Sequence, residues 1–240
     1  MQPRQNIAKS ACEILEEEVK RLFMNKSSDA LKNMPAKELL TSRVVEHINS
    51  YYKLGDNDFI DFVYENDKKN LRIENPNIIY NNNEADSYIW TINFLNDYDN
   101  FCRKLPFWSL SLSIDKNNEK LFAIIVNPFL DILIFSEKGS GTVNNQRRVR
   151  SIAISDEVIV SHSKDTKIPD ALSSHTVLSL NSISIEIIYL SSGLIDYYVL
   201  SHREYNNYQD CILLAKEAGV MIQKYDDYYI LANEKNINKL

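Results

Sequence analysis

The sequence predicts a layered α/β protein made of two halves that meet near residue 152. Helical patterns open the chain and a run of strand patterns follows them, whereas strands alternate with helices after residue 152. No internal repeat and no clean linker interrupts the chain. The predicted halves are therefore residues 1–152 and 153–240.

The first half is predicted to begin with two helices. Apolar residues recur at helical spacing over 6–24, and a second helix is predicted over 36–52. The short strand "FIDFVYEND" follows, and 75–87 is the most loop-like segment of the chain. Further strands are predicted at 89–92, at "WSLSLSI" (108–114) and in a hairpin formed by "KLFAIIV" and "ILIFSEKG". The alternation in "WSLSLSI" is typical of a half-buried strand.

The second half is predicted to alternate strands and helices. Strands are expected in "EVIVSH" (157–162) and "IDYYVL", and a final hairpin in "VMIQKYDDYYILAN". A helix is expected over 181–193, with Ser182 near its start and Gly193 as its C-terminal stop. "NYQDCILLAKEAG" is predicted as a helix that Gly219 ends.

Charge and composition exclude several classes of function. The chain has 240 residues, of which 44% are hydrophobic and 25% charged, as in ordinary globular proteins. A net charge of −6 argues against direct, unspecific nucleic-acid binding. The basic stretch "NNQRRVRS" at 144–151 is interpreted as a solvated hairpin edge, with an acidic partner as the alternative.

The pattern of apolar residues and cysteines predicts a cytoplasmic protein without a membrane span. No apolar run reaches the roughly 18 to 20 residues of a transmembrane helix, and the N-terminal segment is acidic and amphipathic where a secretory leader would be apolar. Three cysteines without CxxC spacing indicate reduced thiols. The four histidines are scattered, which gives little support to a histidine metal site.

An ordered set of motifs runs from residue 88 nearly to the end of the chain. The segment "YIWTINFLNDYDNFCRKLPF" (88–107) is followed by "NPFLD", "EKGSGTVNNQRRVR", "SSGLIDYYV" and "KEAGV". These resemble the motifs of the inositol monophosphatase family, which includes the bacterial extragenic-suppressor members. The family loop W-x-I-D-P-x-D-G-T-x-N-F, with a Pro-Phe after it, is matched without a gap at Trp90, Ile92, Asn100, Phe101, Pro106 and Phe107.

The resemblance implies a fold and a chemistry. The fold would be the αβαβα five-layer sandwich of the sugar-phosphatase type, in a homodimer. The family's chemistry is hydrolysis of phosphate esters by Mg²⁺ ions that carboxylates hold. The extragenic-suppressor members resemble proteins with roles in transcription or ribosome assembly that do not depend on phosphatase activity. The second half looks shorter than the family's between Val160 and Asn181.

Most of the family's functional groups are absent at the matching positions. Glu65 keeps one carboxylate, but amides stand at the other four metal-ligand positions: Asn66, Asn93, Asn96 and Asn207. The family's Gly-Thr pair, which lets backbone N–H groups approach the phosphate, is Asp97-Tyr98, and only the hydroxyl of Ser182 survives from the family's Gly-Ser/Thr-Ala-Ala run. The resemblance therefore implies a degenerate site, for which no catalytic residue, metal or other cofactor is expected.

A displaced metal site is the main alternative for these residues. Its fallback ligands would be Glu65, Asp97, Asp99 and Asp210, whereas Asp67 is discounted because a shift of one residue along a strand reverses the direction of the side chain. The predicted function is a non-catalytic scaffold or interaction protein. The alternative is a weak Mg²⁺-dependent phosphatase acting on inositol monophosphate or a similar small phosphomonoester. Drift and selection both remain open as causes of the amides.

Overall fold

A computed structural model describes residues 3–24, 43, 59–64, 67–73 and 88–240 of the chain. Apart from Arg43, which is helical, the helix predicted over 36–52 lies outside the described residues, as does the loop predicted over 75–87. The chain divides into two compact units, Met1–Leu133 and Ile134–Leu240. The boundary near residue 152 stays a prediction about the two halves of the family fold.

The first unit opens with helix α1, Pro3–Met24, which confirms the first predicted helix. Its buried side includes Ala11, Leu15 and Val19, which recur at helical spacing. Cys12 lies on the same side and is 0% exposed. The helix packs against two strands of its own unit, β4 and β5, whose bounds are Ser109–Lys116 and Glu119–Asn127.

The strands of the first unit follow the order β2-β1-β3-β4-β5. The remaining bounds are β1 Phe59–Tyr64, β2 Asp67–Ile73 and β3 Tyr88–Asn96. β1 and β3 are parallel, and the other neighbouring pairs are antiparallel. A short helix, α2 (Tyr98–Cys102), follows β3 directly. β3 is therefore longer than the strand predicted over 89–92, because it continues through Asn93 to Asn96.

The half-buried character expected for "WSLSLSI" is wrong, because both faces of β4 are buried there. Its three serines, Ser109, Ser111 and Ser113, are buried together with the leucines that alternate with them. Hydrogen bonds replace water at this polar face. The Lys120 ammonium, for example, donates to the Ser113 hydroxyl at 2.8 Å. Alternation of this kind marks a hydrogen-bonded face here and not an exposed one.

An aromatic cluster connects the end of α1 to the segment after α2. The Phe23 ring lies 5.2 Å from the Phe101 ring and 5.4 Å from the Trp108 ring, measured between centroids. The Lys104 ammonium donates to the Phe23 carbonyl oxygen and lies 5.0 Å from the Phe23 ring centroid. These contacts fix the segment that the Pro-Phe motif closes.

The second unit contains an antiparallel ladder and a separate five-stranded sheet. The ladder is β6 (Ile132–Glu137, which begins at the unit boundary), β7 (Gly141–Asn144) and β8 (Arg147–Val149). The sheet has the order β10-β9-β11-β13-β12. Its strands are β9 Ile159–His162, β10 Thr176–Val177, β11 Tyr197–Ser201, β12 Val220–Lys224 and β13 Tyr228–Asn233. The strands predicted in "EVIVSH" and "IDYYVL" are confirmed as β9 and β11, and the predicted final hairpin is confirmed as β12 and β13.

The helices of the second unit include one that was not predicted. They are α3 Ile183–Ser191, α4 His202–Asn207, α5 Gln209–Glu217 and α6 Glu234–Ile237. Ser182 caps α3 and Gly193 follows it at φ +76°, as predicted. The helix predicted in "NYQDCILLAKEAG" is confirmed as α5, whereas α4 before it was not predicted; Tyr208, with φ −109° and ψ 40°, separates the two. No helix among the described residues is both long enough and apolar enough to cross a membrane.

Candidate functional site: an amide network at the end of β3

The amides at the end of β3 lie opposite the serines of β4. Asn93 pairs with Ser111 and Asn96 with Ser109 in the antiparallel register, with a bulge between the two pairs. Asn93 is half-buried, and Asn96 is 2% exposed. Because the bulge changes the alternation of β3, both amides meet the polar side of β4.

The two amides and two serines form one hydrogen-bonded network. The Asn93 Nδ2 donates to Asn96 Oδ1, and the Asn96 Nδ2 lies 3.1 Å from Ser109 Oγ and 3.3 Å from Ser111 Oγ. The Asn93 Oδ1 accepts from the Leu95 N–H at 3.3 Å. Each heteroatom of both amide groups is thus engaged by the protein itself. The sequence predicted the two amides and missed the serines, whose spacing of two residues in "WSLSLSI" was the available signal.

Asp97 occupies a left-handed backbone conformation directly after this network. Its φ and ψ are 64° and 48°, and the residue is only 8% exposed. Its carbonyl oxygen accepts from the Asn100 N–H at 3.1 Å, which begins α2. A left-handed residue is ordinarily glycine, the residue that the resemblance places here. Tyr98 is half-buried and Asp99 is exposed.

Two other asparagines of this region have structural roles. The Asn100 amide donates to the Phe107 carbonyl oxygen at 2.8 Å. The Asn127 amide donates to the carbonyl oxygens of Pro106 and Trp108, while its own Oδ1 accepts from two backbone N–H groups two and three residues onward. Asn100 and Asn127 thus match the family motifs at positions where an asparagine holds the backbone of 106–108 in place.

The predicted site residues of the second unit are separated along α3, α4 and α5. The Ser182 hydroxyl is fully buried and accepts from the Ile185 N–H at 3.3 Å, so that it serves as a helix cap. Asn207 is exposed at the end of α4. Asp210 is half-buried, and its carboxylate accepts from the Cys211 N–H at 2.8 Å.

Two buried carboxylates of the second unit were not predicted from the sequence. Glu186 of α3 is 1% exposed and accepts from the Leu180 N–H at 2.6 Å and from the Tyr198 hydroxyl at 3.2 Å. Burial raises the pKa of Glu186, although these hydrogen bonds oppose the shift. Glu204 accepts from the hydroxyls of Ser163 and Ser201. A charged residue inside the apolar run "ISIEIIYL" was the signal for the first of them.

Metal-ligating side chains do not assemble in the described part of the chain. No group of three or more His, Cys, Asp or Glu side chains there could hold a metal ion. Glu65 and Asn66 lie outside the described residues, and Asp67 begins β2. The fallback ligands Asp97 and Asp99 belong to the first unit and Asp210 to the second.

Comparison with known proteins gives distant relatives that include phosphatases and Nus factors. No protein-family model matches the chain. Fructose-1,6-bisphosphatase of Pyrococcus furiosus is 28% identical over 170 residues, which cover 64% of this chain and 61% of the relative. The fructose-1,6-bisphosphatase/inositol-1-monophosphatase of Thermotoga maritima is 25% identical over 161 residues (64% and 63%). Nus factor SuhB of Buchnera aphidicola is 25% identical over 170 residues (65% and 64%). The match thus spans about three fifths of the first two relatives' length.

Solved structures of the same group share the fold over nearly the whole chain. The extragenic suppressor protein SuhB of Bartonella henselae aligns with a TM-score of 0.72 at 17% identity, covering 99% of this chain and 97% of that one. The inositol monophosphatase of Thermotoga maritima gives 0.72 at 17% identity, with 99% and 95% covered. The predicted layered α/β fold of the inositol monophosphatase type is confirmed, and the relatives and structural neighbours are inositol monophosphatase and SuhB proteins.

Proposed function

We propose that this protein is a catalytically degenerate member of the inositol monophosphatase family that acts as a non-catalytic scaffold or interaction protein. The observation that carries the proposal is the neutral network of Asn93, Asn96, Ser109 and Ser111 at the end of β3. In the resemblance, the two asparagines stand where carboxylates would hold Mg²⁺. Here they hold each other and the neighbouring strand.

The residues of this network do not fit a Mg²⁺ centre. Mg²⁺ gives up hydration water reluctantly and is bound in proteins through carboxylates. Each unit charge exchanged for a neutral amide forfeits roughly 4 kcal/mol of attraction at about 4 Å and an effective dielectric of about 20. The amide oxygens of Asn93 and Asn96 already accept hydrogen bonds, so that a cation would also have to displace them.

The residues after the network also disfavour a phosphate ester. A phosphate needs close approach to backbone N–H groups, which glycine permits and a side chain obstructs. Asp97 places a nearly buried carboxylate at that point, and like charges repel. Tyr98 places a ring where the family has threonine.

A weak Mg²⁺-dependent phosphatase is the second candidate, and one observation favours it. Asp97 is a carboxylate of low exposure beside the amide network, and Asp99 follows two residues later. The relatives from Pyrococcus furiosus and Thermotoga maritima are described as phosphatases. The substrate would be inositol monophosphate or a similar small phosphomonoester.

We further propose that the scaffold is a homodimer with a protein partner in transcription or ribosome assembly. The support is that relatives from Buchnera aphidicola and Xylella fastidiosa are described as Nus factors. A protein that keeps a fold and loses its ligands can keep such a role, because partner surfaces do not depend on bound metal.

Calorimetric titration of the purified chain with Mg²⁺ and Mn²⁺, each to high millimolar concentration, tests the proposal. We expect no saturable binding. A restored variant with acids at the four amide positions and Gly-Thr at 97–98 should gain saturable binding, which would show that the fold still accepts the centre. The substitutions are Asn66→Glu, Asn93→Asp, Asn96→Asp, Asp97→Gly, Tyr98→Thr and Asn207→Asp.

Saturable binding by the unaltered chain at micromolar to low-millimolar concentration would contradict the proposal if Asp97→Ala abolishes it. The matched control is Asp226→Asn, which removes one exposed carboxylate from the β12–β13 hairpin. Loss of binding in the first variant and its retention in the second would favour the weak-phosphatase alternative, which an assay of inositol monophosphate hydrolysis would then decide.

A further inference from the structure

A stripe of basic and apolar side chains lies along the segment that leaves β8. The stripe consists of Arg148, Arg150, Ile152 and Ile154, which occupy alternate positions and are all exposed. The isoleucines are 64% and 70% exposed, a large fraction for β-branched apolar side chains. The intervening residues point inward, since Val149 is half-buried.

The backbone beneath the stripe is held firmly at Ser151. The Ser151 N–H donates to the Ala218 carbonyl oxygen at 2.8 Å, and its buried hydroxyl donates to the Leu190 carbonyl oxygen at 2.9 Å. The Ile152 carbonyl oxygen lies so close to Gly193 that a Cβ there would be 1.9 Å away. Arg150 and Ile152 are therefore presented by an ordered segment, which lowers the entropy cost of binding a partner.

The charge of the stripe lacks a counterpart. Within the described residues, no carboxylate lies within ion-pair distance of Arg148 or Arg150. Beside them is an open cavity of about 420 Å³ whose lining includes both arginines, Lys235, Glu217 and Glu234. The Glu217 carboxylate is engaged, because its two oxygens accept from the N–H groups of Gly139 and Gly141 at 2.8 Å. With three cations against two carboxylates, the lining of the cavity carries a net charge of +1.

The edge of β8 provides backbone groups next to this charge. In the described part of the chain β8 pairs on one side only, with β7. An extended peptide can add to such an edge and place alternate side chains on one face. Backbone pairing would stop at Arg148, because the Ile152 N–H donates to the Arg150 carbonyl oxygen at 3.0 Å. Acidic side chains of the peptide would meet Arg148 and Arg150, and its apolar side chains further along would contact Ile152 and Ile154.

We propose that the stripe and its cavity bind an extended segment of a partner protein in which acidic residues are followed by apolar ones. This inference rests on the proposed scaffold role and names the chemistry of its partner. A protein segment fits better than a nucleic acid, because two exposed isoleucines offer nothing to a phosphate backbone and the whole chain carries a charge of −6.

Fluorescence polarisation with a synthetic probe tests the proposal on the full chain. The probe is a labelled peptide in which glutamate alternates with threonine over one half and isoleucine with threonine over the other. We expect saturable binding that weakens roughly tenfold in the double variant Arg148→Glu/Arg150→Glu, because two exposed attractive charge contacts become repulsive. The variant Ile152→Ser/Ile154→Ser should weaken binding while leaving its salt dependence unchanged.

The charge-matched control is Lys164→Glu/Lys167→Glu, which reverses two exposed cations elsewhere in the second unit. Equal weakening in the control and the arginine variant would overturn the proposal, since net charge alone would then explain binding. Binding of single-stranded oligouridylate in place of the peptide would overturn it in favour of a nucleic acid. Dimerisation that the arginine variant abolishes, without peptide binding, would assign the surface to a second copy of the chain.

The outcome is separable from that of the metal titration. The arginine and isoleucine variants leave the β3–β4 network unchanged, so that failure of peptide binding leaves the degenerate-site proposal intact. Saturable Mg²⁺ binding beside unaltered peptide binding would instead overturn the degenerate site and keep the docking surface.

Discussion

At the scale of single residues, Asn96 is the centre of the amide network. We expect Asn96→Ala to lower the free energy of unfolding by about 2 kcal/mol, because it removes two donated hydrogen bonds and leaves a buried space between the strands. Urea denaturation measures this. Asn207→Ala, at an exposed position, is the control and should change stability by less than about 0.5 kcal/mol. Equal effects at both positions would refute the network's structural role.

Substitutions at Gly193 and Gly139 distinguish the cost of a left-handed backbone from the cost of a steric clash. Both have positive φ, +76° and +75°, but a Cβ at Gly193 would meet the Ile152 carbonyl oxygen, whereas nothing lies within 4 Å of one at Gly139. Gly139→Ala should cost about 1 kcal/mol, the penalty for a left-handed alanine. Gly193→Ala should cost roughly 3 kcal/mol or more, because the 151–152 segment must also move. Thermal unfolding of the two variants compares their losses of stability. Similar losses would mean that the 151–152 segment moves aside at little cost in free energy.

At the scale of elements, the two hairpin turns differ in how well their residues suit positive φ. Asn145-Gln146 joins β7 to β8 with φ 44° and 67°, and Asn117-Asn118 joins β4 to β5 with φ 54° and 59°. We expect Gln146→Gly to raise the free energy of unfolding by about 1 kcal/mol, since glutamine tolerates this conformation poorly. Asn118→Gly should gain less, because asparagine enters the left-handed region readily. Urea denaturation that ranks the two gains in the opposite order would contradict this reasoning.

The sequence predicted the type and order of the described elements better than their ends. Helix α1 and the β12–β13 hairpin follow periodicity because one face of each is apolar. Helix α4 was not predicted, and no glycine or proline marks its end, where Tyr208 separates it from α5. Burial of the serine face of β4 was also beyond local pattern, because it depends on partners such as Asn96, 13 residues away.

At the scale of the whole molecule, Glu186 links stability to pH. Burial raises its folded pKa above the ordinary value of 4.5. The stability that this shift contributes is therefore fully present below about pH 4.5. It is lost as the pH rises through the folded pKa, because the carboxyl of the unfolded chain ionises first. Glu186→Gln should reduce the difference in unfolding free energy between acidic and mildly alkaline pH. Urea denaturation across this range measures it, and Asp227→Asn, at an exposed carboxylate, is the control. An unchanged pH dependence would refute the assignment.

The candidate site was predictable as a set of positions, and its organisation was not. When the family motif is aligned with this sequence without a gap, Asn93 and Asn96 fall at the positions of its carboxylates. That their amides bond to each other and to β4 depends on a bulge in β3, for which no residue type is diagnostic. The basic stretch at 144–151 was visible as charge, but the exposed Ile152 and Ile154 beyond it look like an ordinary buried strand in the sequence.

Because Cys12 is completely buried, the rate at which a thiol reagent labels it reports on the packing of α1 against β4 and β5. A thiol reacts with disulfide reagents as its thiolate, and burial raises the pKa of Cys12 while the neighbouring Glu13 and Glu16 raise it further. Its modification must therefore wait for α1 to leave β4 and β5. The half-buried Cys102 has no such requirement. In the unaltered protein, the delay of Cys12 labelling behind Cys102 labelling therefore measures how often α1 detaches from the sheet.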